Sequence, residues 1–310
     1  MLDKMNKLKL LARIKELYET EGTNIIEYLK SVDSLKQNTI EDIMISYDFQ
    51  AGSYTNQIFS DYEIRTKKKD QVEKIAAIID ALPCGHQSIF EAGVGEATTF
   101  GLLLGQLKKE FVFAGGADIS WSRIKYAYKF VEKVSPVPLS GHNLVVGDIF
   151  SLPLQDNSVN VLYTCHSLEP NGGHENALLQ ECYRVVHDYV VLIEPAYEFA
   201  NEKQRARMKK HGYVTHLYQS AKDLGYEVVS YELLGASTND ENPTGCMIIR
   251  KSNIEGDGLA MPFGDPITHS PLEHIRNCYY SDGAQLLYPV VDGIPCLISH
   301  QAIVATKFMD

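Results

Sequence analysis

Residues 88–97, Ser-Ile-Phe-Glu-Ala-Gly-Val-Gly-Glu-Ala, constrain this chain more than any other stretch. An apolar run carrying a carboxylate passes directly into two glycines one residue apart, and helix-compatible residues follow. The pattern predicts a buried strand, a tight turn and a helix. Glycine permits the turn and lets a ligand approach backbone N–H groups that no side chain shields. Alone, the turn suits a dinucleotide's pyrophosphate or a purely structural strand-to-helix connection equally well.

The flanking rhythm narrows the choice. From about Lys69, short apolar runs alternate with amphipathic stretches. Helices are expected over Val72–Leu82, Ala97–Leu107, Trp121–Val134, Asn176–Val186, Glu202–Lys210 and Leu217–Leu224. Strands are expected over Ser88–Ala92, Phe111–Asp118, Asn143–Val146, Val159–Thr164, Tyr189–Ile193, Glu227–Leu233 and Thr244–Lys251. Such alternation predicts an α/β fold: a doubly wound, mostly parallel seven-stranded sheet, closed by an antiparallel pair across the turn-rich Gly235–Gly245. Residues 1–66 read as an N-terminal helical segment or lid. Its packing stripe is Leu8, Leu11, Ile14, Leu17 and Tyr18. The core is expected over 67–252, and the Gly/Pro-rich stretch after Lys251 leads into a small β-rich module, 253–310.

A net charge of −11 disfavours a broad nucleic-acid surface, which needs clustered Lys and Arg to displace counterions. The basic stretches Lys67–Lys69 and Lys203–Lys210 read as solvated helix faces. The longest apolar runs, such as Tyr189–Ile193, fall short of the ~20 residues that span a bilayer. No membrane or nucleic-acid partner is expected, the cytoplasm is the expected location, and a homodimer stays open. Six cysteines lie scattered without C-x-x-C spacing, so buried free thiols and no metal site are expected.

Two further carboxylates follow the glycine turn in order. Asp118 ends the second core strand in Gly116-Ala117-Asp118-Ile119-Ser120, where it suits a ribose diol. Asp148 follows the third in Gly147-Asp148-Ile149, with Leu152-Pro153-Leu154 and Asp156-Asn157-Ser158-Val159-Asn160 after it. This ordered set over residues 88–195 resembles class I S-adenosylmethionine-dependent methyltransferases. The resemblance implies a Rossmann-like core with S-adenosyl-L-methionine as cofactor. By that match Glu91, Ala92, Gly93 and Gly95 line the methionine end, Asp118 and Ile119 the ribose, and Asp148 and Ile149 the adenine, with Cys165 nearby. Ala97 stands at the pattern's third glycine and Asn160 where Asp is common. Asp156 is expected to stabilise its own turn. The stretch Tyr47–Tyr54 resembles the family's segment before the core, in which an aromatic residue, here Tyr54, closes over the cofactor.

Ligands in open α/β folds bind beyond the carboxyl ends of the strands. There Cys165-His166-Ser167-Leu168-Glu169-Pro170 and Glu194-Pro195 gather ionisable groups. His166, Glu169 and Glu194 are the catalytic candidates. His166 is either a proton acceptor or a hydrogen-bonded strand-end histidine, and Glu194 either touches the acceptor or braces a backbone N–H. No N-P-P-Y-like amino-methylation tetrapeptide follows the fourth strand, and Ser167–Pro170 is closer to the family's small-molecule branch.

The C-terminal stretch Asp265-Pro266-Ile267-Thr268, with Leu286–Leu297, resembles the small zinc-ribbon activators of tRNA and protein methyltransferases. Asp265, Thr268, Ser281 and Ala284 stand where that family has its zinc cysteines, so a degenerate, metal-free ribbon is expected, held by Tyr279, Tyr280, Tyr288 and Ile294. The whole chain is similar to methyltransferases of bacterial surface-glycan gene sets. That likeness implies a small-molecule acceptor, a sugar or nucleotide-sugar methylated on an amine, amidine or hydroxyl. The alternatives are methylation of tRNA or protein, and a catalytically silent cofactor-binding protein.

Overall fold

The strands that the apolar runs predict pair in the order β3-β2-β1-β4-β5-β7-β6 in a computed structural model, which describes residues 7–33, 38–135, 142–238, 241–252 and 254–310. They are β1 (Ser88–Ala92), β2 (Phe113–Asp118), β3 (His142–Val146), β4 (Val159–Cys165), β5 (Val186–Pro195), β6 (Glu227–Leu233) and β7 (Thr244–Arg250). β1 to β5 run parallel, and β7 joins both β5 and β6 antiparallel. All five residues of β1 are buried, as a central strand covered on both faces requires. The strand order reverses between β1 and β4, which opens the crevice where ligands bind in such sheets.

Helix α7 (Trp121–Val134) has its expected bounds, with Ser120 as N-cap accepting the Arg123 N–H at 3.1 Å. Helix α6 is shorter than expected, Phe100–Leu104, because Ala97 takes a left-handed φ of 56° and prolongs the glycine turn. Helix α5 begins at Tyr62 and runs to Ala81 under an Asp61 cap, so a division at residue 66 falls inside a continuous helix. Residue 253, the expected start of the C-terminal module, lies outside the described residues, as do 239–240 of the Gly235–Gly245 turn.

Before the sheet come α1 (Leu11–Glu21), α2 (Ile25–Asp33), α3 (Ile40–Phe49) and α4 (Ser53–Ser60). Ile14, Ile25, Leu29 and Ile45 form a separate small core there. Leu8 and Leu11, expected in its stripe, are exposed, whereas Ile14 and Leu17 are buried. The remaining helices are α8 (Glu175–Val185), α9 (Glu202–His211) and α10 (Leu217–Asp223).

The C-terminal module is antiparallel: β8 (Glu273–Ile275), β9 (Cys278–Ser281), β10 (Leu286–Val291), β11 (Ile294–Pro295) and β12 (Ile303–Val304). It docks against the β3 edge, where the Leu297 N–H donates to the Val146 carbonyl at 2.8 Å. Phe263, Tyr288 and Leu297 join the main core, and Phe263 meets Phe113 edge-on at 5.4 Å. Apolar packing is only part of what holds this module. Asp265 is fully buried and accepts the Ile267 and Thr268 N–H groups and the Tyr288 hydroxyl, the last at 2.7 Å. Asp156 differs from expectation too, since its carboxylate takes the Arg184 guanidinium at 2.7 Å. Asn160 accepts from Gln87 and Ser88 N–H and donates to Asp188 and Asp257, a donation that an aspartate there could not make.

Candidate active site

A cavity of about 360 Å³ opens over the carboxyl ends of the parallel strands, with α3, α4 and α5 supplying its other wall. Glu91, Gly93, Asp118, Ile119, Asp148 and Ile149 all line it, so the strand tips bring the expected cofactor residues together. Gly93 and Gly95 take φ of 75° and 55°. A Cβ on Gly93 would lie 2.2 Å from that of Ser167, and one on Gly95 2.4 Å from the Arg123 guanidinium, so both turns need glycine for space as well as conformation. Ala92 and Gly95 do not line the cavity; they act through their backbones, Ala92 accepting the Ser167 hydroxyl at 2.7 Å and Gly95 donating to Asp118 at 3.0 Å.

Asp118 is held from both sides, by that Gly95 N–H and by the Ser120 N–H at 2.9 Å. The Arg123 guanidinium lies 3.6 Å away and between the rings of Tyr47 and Tyr54, at 4.8 and 5.2 Å. Tyr54 thus reaches the cavity, packed on an arginine rather than on a bare wall. Glu91 is buried and accepts the Tyr163 hydroxyl at 2.8 Å; burial pushes its carboxyl up to about 8. Burial also raises the Asp148 carboxyl, against the Phe150 N–H that it accepts at 2.9 Å. Cys165 lines the cavity as a thiol, pushed up to about 11 by burial.

The second group of candidates divides. His166 sits at the end of β4 with a left-handed φ of 55°. Its Nδ1 lies 3.2 Å from Glu169 and its Nε2 3.1 Å from the Thr244 hydroxyl. Burial pulls this imidazole's pKa down, but Glu169 and then Glu194 outweigh it and the net direction is upward. His166 and Glu169 line the cavity, whereas Glu194 stands behind their loop. The Glu194 carboxylate accepts the Ser167 and Leu168 N–H groups at 3.1 and 3.2 Å, and burial lifts it to about 7.

Four further side chains complete the walls, Tyr47, Lys68, Glu96 and Arg123, and of the stretch Lys67–Lys69 expected on a solvated helix face Lys68 instead turns inward, because it finds oxygen partners there. Glu96, from the glycine turn, is buried and accepts the N–H groups of Gly52 and Thr55 and the Thr55 hydroxyl, capping α4 from outside its own segment. Asp48, on α3, takes the Ser120 and Ser122 hydroxyls at 2.7 and 2.9 Å. Lys68, on α5, is 8% exposed, and its ammonium donates to Thr99 at 2.6 Å and Gln71 at 3.1 Å. Glu96 follows the glycines directly and Arg123 lies in the first turn of α7 after the β2 tip, whereas Tyr47 and Lys68 come from α3 and α5, ahead of the sheet in the chain.

Among the described residues no three His, Cys, Asp or Glu side chains converge as metal ligands, and no helix is long and apolar enough to cross a membrane. All six cysteines are free. The donor set is carboxylates at successive strand tips, a buried ammonium and a guanidinium whose Nε has no partner. That chemistry fits a group carrying a diol, an ammonium and a carboxylate.

Residues 91–193 match the family described as Methyltransferase domain. No curated protein matches the chain. Among solved structures, a methyltransferase in complex with the Haloferax volcanii Trm112 activator is similar at 12% identity and TM-score 0.48, covering 63% of this chain and 95% of that one. Magnesium protoporphyrin IX methyltransferase from Synechocystis PCC 6803 is similar at 13% identity and TM-score 0.47, covering 78% and 99%. A methyltransferase of Bacillus halodurans C-125 gives 14%, 0.44, 58% and 99%. The matched domain and the strand-tip site define a class I S-adenosylmethionine-dependent methyltransferase. S-adenosyl-L-methionine is the cofactor of this enzyme.

Proposed function

We propose that the enzyme methylates a small molecule, a sugar or nucleotide-linked sugar, on an amine, amidine or hydroxyl. When bound, S-adenosylmethionine supplies an electrophilic methyl group on a sulfonium. In this reading Asp118 accepts the ribose hydroxyls, Glu91 faces the ammonium of the methionine part, Asp148 and Ile149 flank the adenine, and Tyr54 closes over the cofactor. Transfer is an in-line displacement, so alignment of the acceptor lone pair contributes most of the rate. Glu169 holds the proton of His166 on Nδ1, which leaves Nε2, now facing the Thr244 hydroxyl, as the atom that takes the acceptor's proton. Glu194 acts as a positioning residue that braces the loop carrying this pair.

The observation that carries the reading is that the His166–Glu169 pair and the strand-tip carboxylates line one cavity. The net charge of −11 agrees with a small acceptor better than with a polyanion. The test is a panel of amino, amidino and neutral sugars, free and nucleotide-linked, assayed for methyl transfer beside tRNA and protein. Turnover of a sugar is expected; no sugar turnover together with robust methylation of tRNA or protein would overturn the proposal.

A further inference from the structure

We propose that Lys68 is the cofactor's carboxylate anchor, its ammonium pairing with the carboxylate of the methionine part while Glu91, on the opposite side of the amino-acid group, takes the ammonium. The inference rests on S-adenosylmethionine occupying the cavity and assigns a role to a residue outside the strand-tip set.

The argument begins with the cost of burying a charge. An ammonium withdrawn from water is stable when it is paired and hydrogen-bonded. Lys68 is 8% exposed, yet among the described residues no carboxylate lies within ion-pairing distance of it. Its two hydrogen bonds go to neutral oxygens, the Thr99 hydroxyl and the Gln71 amide. A lysine ammonium carries three donors, so one is left for a ligand. Lys68 lines the cavity together with Thr99, Glu91 and Gly93, the residues of the glycine-turn end of β1 and the start of α6. Among the described residues, a buried cation without an ion-paired carboxylate beside a buried carboxylate whose one hydrogen-bond donor is the Tyr163 hydroxyl is complementary to a zwitterion. The α-amino acid group is the zwitterionic part of the cofactor.

Calorimetric titration of the full chain with three adenosyl thioethers tests this. S-adenosylhomocysteine keeps both charges, its decarboxylated form keeps only the amine, and 5′-methylthioadenosine lacks the whole amino acid. The wild type is expected to lose roughly 10- to 100-fold in affinity when the carboxylate is removed, the range for a charge-assisted hydrogen bond. Lys68→Met is expected to bind the first two ligands about equally, with methylthioadenosine affinity unchanged, which also shows that the variant is folded. Retained discrimination in Lys68→Met, or equal weakening of all three ligands, overturns the proposal. The wild-type arm stands by itself, since equal affinity for S-adenosylhomocysteine and its decarboxylated form overturns it whatever the variant does. A wild type that binds none of the three refutes the cofactor reading beneath it.

Discussion

The Glu96 carboxylate accepts the Thr55 backbone N–H at 2.7 Å, joining the glycine turn of the cofactor site to the first turn of α4 across 41 residues of sequence. The turn that borders the cavity therefore also holds the helix that walls it. Glu96→Gln turns one acceptor oxygen into a donor facing other donors. The variant is expected to lose about 2–3 kcal/mol of stability and to be cleaved faster by protease within residues 40–60. Unchanged thermal unfolding and cleavage would show that α4 does not depend on this cap.

In the proposed binding mode Asp118 meets the ribose with a carboxylate already oriented by Gly95 and Ser120. Asp118→Ala is expected to weaken S-adenosylhomocysteine binding by roughly 10- to 100-fold in calorimetry, the cost of losing hydrogen bonds to a charged acceptor. An unchanged dissociation constant would count against the ribose role.

Burial holds Glu91 at about 8, so near neutral pH it is largely protonated in the free enzyme. An ammonium ligand favours the ionised form. Cofactor binding is therefore expected to release a proton at pH 7 and to tighten as pH rises toward 8, by no more than about tenfold per unit. The same shift makes Glu91 favour the folded state most below its ordinary carboxylate pKa, with that contribution lost as pH rises through about 8. Titrations in buffers of different ionisation enthalpy measure the proton; Glu91→Gln should abolish its release.

Glu169 raises the His166 imidazole against its burial. If neutral His166 takes the acceptor's proton, activity falls as pH drops through a histidine pKa above the usual 6.5. Glu169→Gln should move that acid limb to lower pH and reduce kcat. A pH–rate profile whose acid limb stays in place would exclude the pair from proton transfer.

Tyr288 donates its hydroxyl to fully buried Asp265. Tyr288→Phe leaves a carboxylate oxygen short of its donor while preserving the ring, and about 1–3 kcal/mol of stability should be lost. Because Tyr288 packs in the main core, the melt should remain one cooperative transition. Separate melting of the C-terminal module would contradict the shared core.

The sequence by itself determined the sheet and its ligand-binding tips. β1 and α7 have the predicted ends because an apolar run stopped by Gly-x-Gly, and a Ser-capped amphipathic stretch, are local instructions. The convergence of Glu91, Asp118 and Asp148 on one cavity was legible for the same reason: each follows from its own strand, and parallel strands align their ends. Ala97 was not legible as a left-handed residue, since nothing local announces a strained alanine that shortens α6. Lys68, Glu96 and Asp48 acquire roles only when the N-terminal helices fold over the strand tips. Glu194 became a brace rather than a cavity group because the chain after β4 turns in front of it. Those roles depend on which surfaces are driven together and which charges are thereby buried, and burial is a property of the assembled tertiary structure, with no local sequence signal.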